Sequence, residues 1–310
     1  MKNIKALRHK KLHGPMEYKE ERAAYVFLLP WLIGLCIFTL YPMIISVYYA
    51  FCNYQLGTKA VFILFKNFID MFSDANFFIS LRVTFTYVFL GVPLQLIIAL
   101  IIALLLNKGV PWLPIFRAIY YLPSLLGGSV AIAILWRFMF GAEGVLNQIL
   151  YKLGIISILP GYAFSTAPDT SLLFLVILLA WQFGSPMIIF LAGLKQVPIE
   201  LYESASIDGA GSWHKFTKIT LPMLSHIILF NLIMQIISAF QAFTPAYVVG
   251  GNNGGVLKSL HFYTLYLYKV AFSQMRMGYA SALAWFLLII ISAFTFLLMT
   301  TSKIWVYYDE

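Results

Sequence analysis

Apolar residues fall in six long runs, at roughly 24–51, 83–107, 115–136, 171–194, 223–248 and 278–302. A run of about 20 apolar residues makes a helix long enough to cross the ~30 Å hydrocarbon core of a bilayer. None of the six contains Asp or Glu, and Arg117 is the only Lys or Arg inside them. Tyr48, Tyr49, Trp112, Trp136 and Trp305 stand near run ends, where amphipathic rings favour the headgroup layer. The pattern predicts an all-α, polytopic integral membrane protein with six transmembrane helices. Its units are a basic tail over 1–22, a six-helix body over 23–302 and a short end over 303–310.

Composition agrees. The 310 residues are 61% hydrophobic and 11% charged, against about 25% charged for soluble domains. The net charge of +9 would point to nucleic acid in a soluble protein. Here the basic residues sit at run ends and read as topology signals, so no nucleic-acid partner is expected. Residues 1–22 carry seven Lys/Arg against three Glu, and the apolar run that follows is too long for a signal-peptide core. It is read as a retained anchor. With the N-terminus inside, thirteen Lys/Arg lie on the inner face and eight on the outer, which favours both termini in the cytoplasm. Cys36 and Cys52 lie about 24 Å apart along a straight helix and are not expected to pair. Neither follows a small residue, so a lipoprotein cleavage site is not expected.

Prolines 30, 42, 93, 123, 186 and 245 fall in or near the runs. They set packing geometry, or they mark hinges and discontinuous helices beside a pathway. The outer segments 52–82, 137–170 and 249–277 are long. The last holds "GGNNGG", Gly250, Gly251, Asn252, Asn253, Gly254 and Gly255, a flexible reach or tight turn and a candidate docking point for an external partner. It is not a phosphate loop, because no Lys directly follows its last glycine. The aromatic "SLHFYTLYLYKVAF" after it packs on the membrane surface or docks a partner.

Catalytic chemistry is missing from the pattern. There is no nucleotide fingerprint, no metalloprotease His-Glu pair and no Cys/His ligand set. "SWHK" at Ser212–Lys215 matches a Ser-x-x-Lys nucleophile motif, but as a four-residue match at a helix start. Neither a metal nor a bound cofactor is expected. Ion-coupled transporters carry intramembrane carboxylates or paired charges. These runs have no carboxylate, so energy for pumping must come from a partner.

Between the fourth and fifth runs lies "IELYESASIDGAGSWHKFTKITLPML", polar and well punctuated. Pro198 suits a first helical position, Glu200 and Glu203 favour the positive end of a helix, and Gly209 suits its left-handed end. Ser212 suits an N-cap for a second short helix, and Leu221-Pro222 a break before the next span. The resulting knob either lies on lipid or docks a protein. Two further groups bear on a pathway. Asn231, Gln235, Ser238 and Gln241 share one broad stripe of the fifth run, and Trp181, Gln182 and Ser185 form a cluster in the fourth. They suit a neutral polyol, or hydrogen bonds between helices.

The knob resembles the signature loop of the membrane subunits of binding-protein-dependent ABC importers: Glu-Ala-Ala, three residues, Gly, nine residues, Ile-x-Leu-Pro. Glu203, Ser204, Ala205, Gly209, Ile219, Leu221 and Pro222 occupy these positions, with Ser204 the one departure. "GLKQVPIELYESASIDGAG", "YLPSLLGG" at Tyr121–Gly128 and "MGYASALAW" at Met277–Trp285 are similar to the carbohydrate branch, which holds maltose-type and glycerol-3-phosphate-type permeases. The resemblance implies a type I permease fold in a bacterial or archaeal plasma membrane. It also implies that 195–222 is a coupling loop docking into an ATPase subunit, with Glu203 facing an ATPase arginine and Asp208 beside the turning glycine. The implied partners are a second permease, two copies of a cytoplasmic ATPase carrying ATP and Mg, an external solute-binding protein, membrane lipid and a carbohydrate. A stand-alone transporter or channel, a membrane enzyme and a scaffold are the rival readings.

Overall fold

A computed structural model describes residues 15–109, 112–154 and 163–307, with side chains from residue 23 onward. The basic residues before Pro15 lie outside the described part. Among the described residues, four helices are long and apolar enough to cross a membrane: Ala23–Ala50, Ala75–Leu106, Ser225–Gly250 and Met277–Trp305. Two bent pairs, Leu113–Leu126 with Val130–Met139 and Ser171–Trp181 with Gly184–Leu194, complete the six spans. The second span runs through the middle, against both halves of the fourth and against the fifth. The sixth packs on the fifth and on the last part of the first. Apolar side chains such as Phe77, Phe174, Met187, Phe190, Leu224 and Leu283 fill the space between them.

The second span starts at Ala75, eight residues before the apolar run predicts. Its 32 residues make about 48 Å of helix at ~1.5 Å per residue, more than a bilayer core needs. The first turns, Ala75–Arg82, therefore extend the helix beyond the predicted run. Asp74 caps them, accepting a hydrogen bond from the Asn76 backbone at 2.8 Å.

The third span departs most from the sequence reading. It is two helices meeting at 98° instead of one over 115–136. Gly127 is buried where a Cβ would strike the Gln182 side chain at 2.2 Å, so the chain must turn there without a side chain. Ser129 then starts the second half, its Oγ accepting from the Ile132 backbone at 3.3 Å.

Prolines 42 and 222 do not break their helices. Each stands two residues after the end of a π-helical turn, Cys36–Leu40 and Phe216–Thr220, closed by bonds from Tyr41 N–H to the Cys36 carbonyl and from Leu221 N–H to the Phe216 carbonyl. A proline ring clashes with the carbonyl four residues back and cannot bond to it. The wider π turn relieves that conflict locally. The expected break before the fifth span therefore comes at Leu224, after Leu221–Met223 has continued the helix.

With each bent pair counted as one span, successive spans alternate in direction. The 195–224 loop then opens on one face. The opposite face carries a two-stranded antiparallel hairpin (Cys52–Asn53 with Val61–Phe62), the helices Lys66–Phe72, Val145–Lys152 and Tyr263–Tyr268, and the glycine-rich loop.

Candidate functional site: a projecting loop and a cavity at two helix breaks

The loop between the fourth and fifth spans forms a nine-residue helix, Ile199–Ile207, with no buried residue. Pro198 sits at its N-cap, one position before the one expected, with extended ψ of 133°. At the other end Gly209 takes φ +77°. The Ala210 N–H bonds to the Ala205 carbonyl at 2.8 Å and the Gly209 N–H to the Ser206 carbonyl at 3.1 Å. This pair is the Schellman closure, which satisfies carbonyls the helix end would leave bare. Gly211 caps the next helix, Ser212–Lys215, and Ser212 occupies its first turn. The reason is conformational: Gly211 holds the extended ψ of 167° that an N-cap requires.

Two hydrogen bonds tie the first helix to the segment after it, and a third lies within it. The Tyr202 and Thr220 hydroxyls meet at 2.9 Å, Lys215 Nζ donates to Ser206 Oγ at 2.6 Å, and Ser206 Oγ donates to the Tyr202 carbonyl at 2.6 Å. Glu203, Ser204 and Asp208 remain exposed, and Ala205 and Ile219 are half-buried. Ala205, Asp208, Gly209 and Ile219 line a cavity of about 440 Å³ with His214 and Lys218. Leu221 and Pro222 are half-buried where the loop rejoins the membrane body. The loop is a braced knob carrying an exposed acid.

Within the spans, the fourth breaks at Gln182 with a 41° bend. Pro186 explains the break, since it lacks the N–H that would bond to the Gln182 carbonyl. That carbonyl is satisfied from other spans. Gln95 Nε2 donates to it at 2.8 Å from the second, and Ser124 Oγ donates at 2.9 Å from the third. Ser124 Oγ also accepts from the Ser185 backbone at 2.8 Å. Gly184 permits this closeness, because a Cβ there would lie 2.2 Å from the Tyr120 carbonyl.

Beside this junction is a cavity of about 310 Å³ lined in part by Gln182, Ser238, Gln241 and Thr244, with Tyr87 and Gly127. The predicted polar group thus divides. Gln182, Ser238 and Gln241 converge. Trp181 instead packs against Trp136, ring centroids 5.3 Å apart. Ser185 contributes its backbone to Ser124, and Gln235 is half-buried away from the cavity. Asn231 is fully buried, and neither amide atom has a hydrogen-bond partner among the described residues. The residues the sequence reading passed over are Tyr87, Gln95, Ser124 and Thr244. Gln95 carried a signal, an amide in the middle of an apolar run.

On the opposite face the glycine-rich stretch is a tight turn. Gly251, Gly254 and Gly255 have φ of +64°, +76° and +75°. Gly255 N–H bonds to the Gly250 carbonyl at 2.6 Å, and Leu260 N–H to the Gly254 carbonyl at 2.8 Å. Asn252 donates to Ser273 at 3.1 Å, and Lys269 donates to Asn253 at 2.8 Å. His261 lies beneath, with the Gly254 Cα so near that a Cβ would fall 2.6 Å from the His261 backbone. Burial, reinforced by Lys258 and Lys269, pushes its imidazole down to about 4. Asp74 anchors the same region, accepting from Tyr266 and, at 3.3 Å, from Tyr279. Burial alone would raise its carboxyl. The bonds from Tyr266, Asn76 and Tyr279 outweigh that and hold it below the usual carboxylate value.

Among the described residues, no group of three or more His, Cys, Asp or Glu could hold a metal ion. Residues 79–305 match the family described as the binding-protein-dependent transport system inner membrane component. The chain is 47% identical over 293 residues, 94% of each chain, to the probable ABC transporter permease protein YesP of Bacillus subtilis. It is 33% identical over 280 residues, 88% of this chain and 86% of its relative, to the arabinooligosaccharides transport system permease protein AraP of the same organism. In fold it is similar to a chain of a bacterial alginate ABC transporter solved in complex with alginate pentasaccharide-bound periplasmic protein. That match has TM-score 0.77 and 23% identity, and covers 93% of this chain and 96% of the other. The six-span body and the family match over residues 79–305 together make this chain a member of the inner-membrane permeases of binding-protein-dependent ABC transporters.

Proposed function

We propose that the chain moves a carbohydrate, an oligosaccharide first, into the cell by alternating access, using work delivered through the 195–222 loop. The observation that carries this reading is the knob itself, a helix without buried residues that is closed at Gly209 and braced by Tyr202–Thr220. A rigid projection transmits displacement, whereas a loose loop absorbs it. Among the described residues the exposed Glu203 has no hydrogen-bond partner that would give it a structural task, which leaves it available to an arginine of a cytoplasmic ATPase. ATP and Mg belong to two copies of that ATPase, and a second permease completes the pathway. Both termini and the knob are cytoplasmic in a bacterial or archaeal plasma membrane. A solute-binding protein delivers substrate on the other face, with Gly250–Gly255 among its contacts. The sugar assignment leans on relatives named for arabinooligosaccharides and lactose. Gln182, Ser238 and Gln241 offer amide and hydroxyl groups suited to a polyol.

The test is Glu203→Lys in the reconstituted importer. Reversing one partner of an interfacial charge pair costs about 2 kcal/mol or more, over tenfold in coupling. Receptor-stimulated ATP hydrolysis and uptake should fall together while insertion and assembly persist. Normal coupled uptake by an assembled variant would overturn the reading.

A further inference from the structure

The hairpin face carries an apolar surface that the transport reading leaves unused. The helix Lys66–Phe72 is amphipathic in an inverted sense. Its inner side holds Asn67 and Met71, both buried. Its outer side presents Phe65 and Ile69, one turn apart and 62% and 65% exposed. Val61, Phe62, Leu56 and Leu64 on the adjoining hairpin are exposed to a similar degree.

The underside is fixed. Asn67 Nδ2 donates to the Ala50 and Cys52 carbonyls, each at 2.9 Å. The Gly278 N–H bonds to the Tyr54 carbonyl at 3.0 Å. Gly278 lies so close that a Cβ would fall 2.1 Å from the Cys52 carbonyl oxygen. Such a patch on a rigid base needs a covering surface.

Continuity identifies the cover. Phe51, at the end of the first span, meets Phe65 edge-on at 5.3 Å and Phe68 at 5.5 Å. The patch therefore joins the last turns of that span, where Ile44 and Tyr48 are also exposed. Exposed apolar side chains thus run from the end of that helix onto the hairpin, with Asn53 and Gln55 exposed beside them. Lys59, Lys66 and Asp70 stand at the rim, exposed, and long lysines place their ammonium groups at phosphate level while their stems stay in the apolar layer.

We propose that residues 52–72 form a membrane-interface foot, seated at the headgroup–acyl boundary of the leaflet opposite the coupling loop. Through Gly278 the foot fixes the depth at which the sixth span begins. Its occupant is phospholipid, neither the solute-binding protein nor the second permease.

The test labels Ile69→Cys, and separately Phe62→Cys, with a nitrobenzoxadiazole fluorophore in a Cys36→Ala background. Native Cys52 is buried and should be spared. The assembled importer is placed in vesicles of phosphatidylcholine and phosphatidylglycerol. Doxyl groups near the lipid headgroup should quench both labels several-fold more than aqueous iodide, with or without receptor. Label at Lys59→Cys should show the greater iodide access of the rim. Dominant iodide quenching at positions 62 and 69, shielding from both quenchers, or loss of lipid quenching when receptor is added would each overturn the proposal.

Discussion

Ser124 and Gln95 both donate to the Gln182 carbonyl, yet their removal should have unequal effects. Ser124 Oγ makes two bonds, one to that carbonyl and one from the Ser185 N–H. Ser124→Ala loses both and strands a backbone donor, at about 1–3 kcal/mol for the unsatisfied group. Gln95 makes one bond through Nε2, while its Oε1 is buried with no partner among the described residues. Gln95→Leu loses about 1 kcal/mol of hydrogen bond but also removes a buried acceptor that was itself costly, so the net change should be within about 1 kcal/mol. Interhelical hydrogen bonds in membranes average about 0.6 kcal/mol, which sets the lower end of both figures. The double variant leaves the carbonyl bare where Pro186 supplies no N–H. It should cost more than the two single changes added together. Thermal unfolding of the assembled importer in nanodiscs, run as a double-mutant cycle, measures this. Strict additivity, or a Gln95→Leu cost equal to that of Ser124→Ala, would refute the shared-carbonyl account.

Gly209→Val should uncouple ATP hydrolysis from uptake, since φ of +77° costs a branched residue about 1–2 kcal/mol even though nothing lies within 4 Å of its Cβ. Gly209→Asn, which tolerates that conformation, should retain most coupling, measured in the same vesicles. Gln241→Leu should raise the substrate concentration for half-maximal uptake about tenfold, as one polar contact in the cavity is lost. Gln235→Leu, away from the cavity, should leave it unchanged. His261 binds a proton at about 4 in the folded chain against an ordinary 6.5. Between these values the unfolded chain holds more protons, so stability should fall as pH drops from 6.5 towards 4 and level off below. His261→Phe should flatten that limb in urea titrations of the assembled importer. Asp74 acts at lower pH. Its depressed carboxyl contributes stability that is present above the ordinary value of 3.8 and is lost as pH falls through the folded value. Asp74→Asn should abolish that loss.

Spans were legible because a run of some 20 apolar residues has few structural outcomes in lipid. The 98° break in the third was not, since 115–136 reads as one apolar run with Arg117 its only charge. What turns it is Gly127 pressed on Gln182, a contact between residues 55 apart in sequence. The knob was legible for the opposite reason. Its proline, glycines and acids act on their own neighbours, and the caps differed from expectation by a single residue. The cavity depends on two breaks that no local pattern announces. Helical spacing marked Asn231, Gln235, Ser238 and Gln241 as one stripe and Trp181, Gln182 and Ser185 as a second group. Only the helix rotations after those breaks decide which of them face one another.

Each π turn ahead of Pro42 and Pro222 holds one residue more than an α-helical ladder would need. Excising one residue from Cys36–Leu40 would press the Pro42 ring onto a carbonyl and swing everything upstream by about 100°. On the first span, whose central stretch has no buried residue, such a rotation would disturb few contacts. Within Phe216–Thr220 the same excision would rotate the whole projecting knob, Ile199–Lys215, against the span that follows it. Chain length at that second site should therefore be far less forgiving of deletion than at the first.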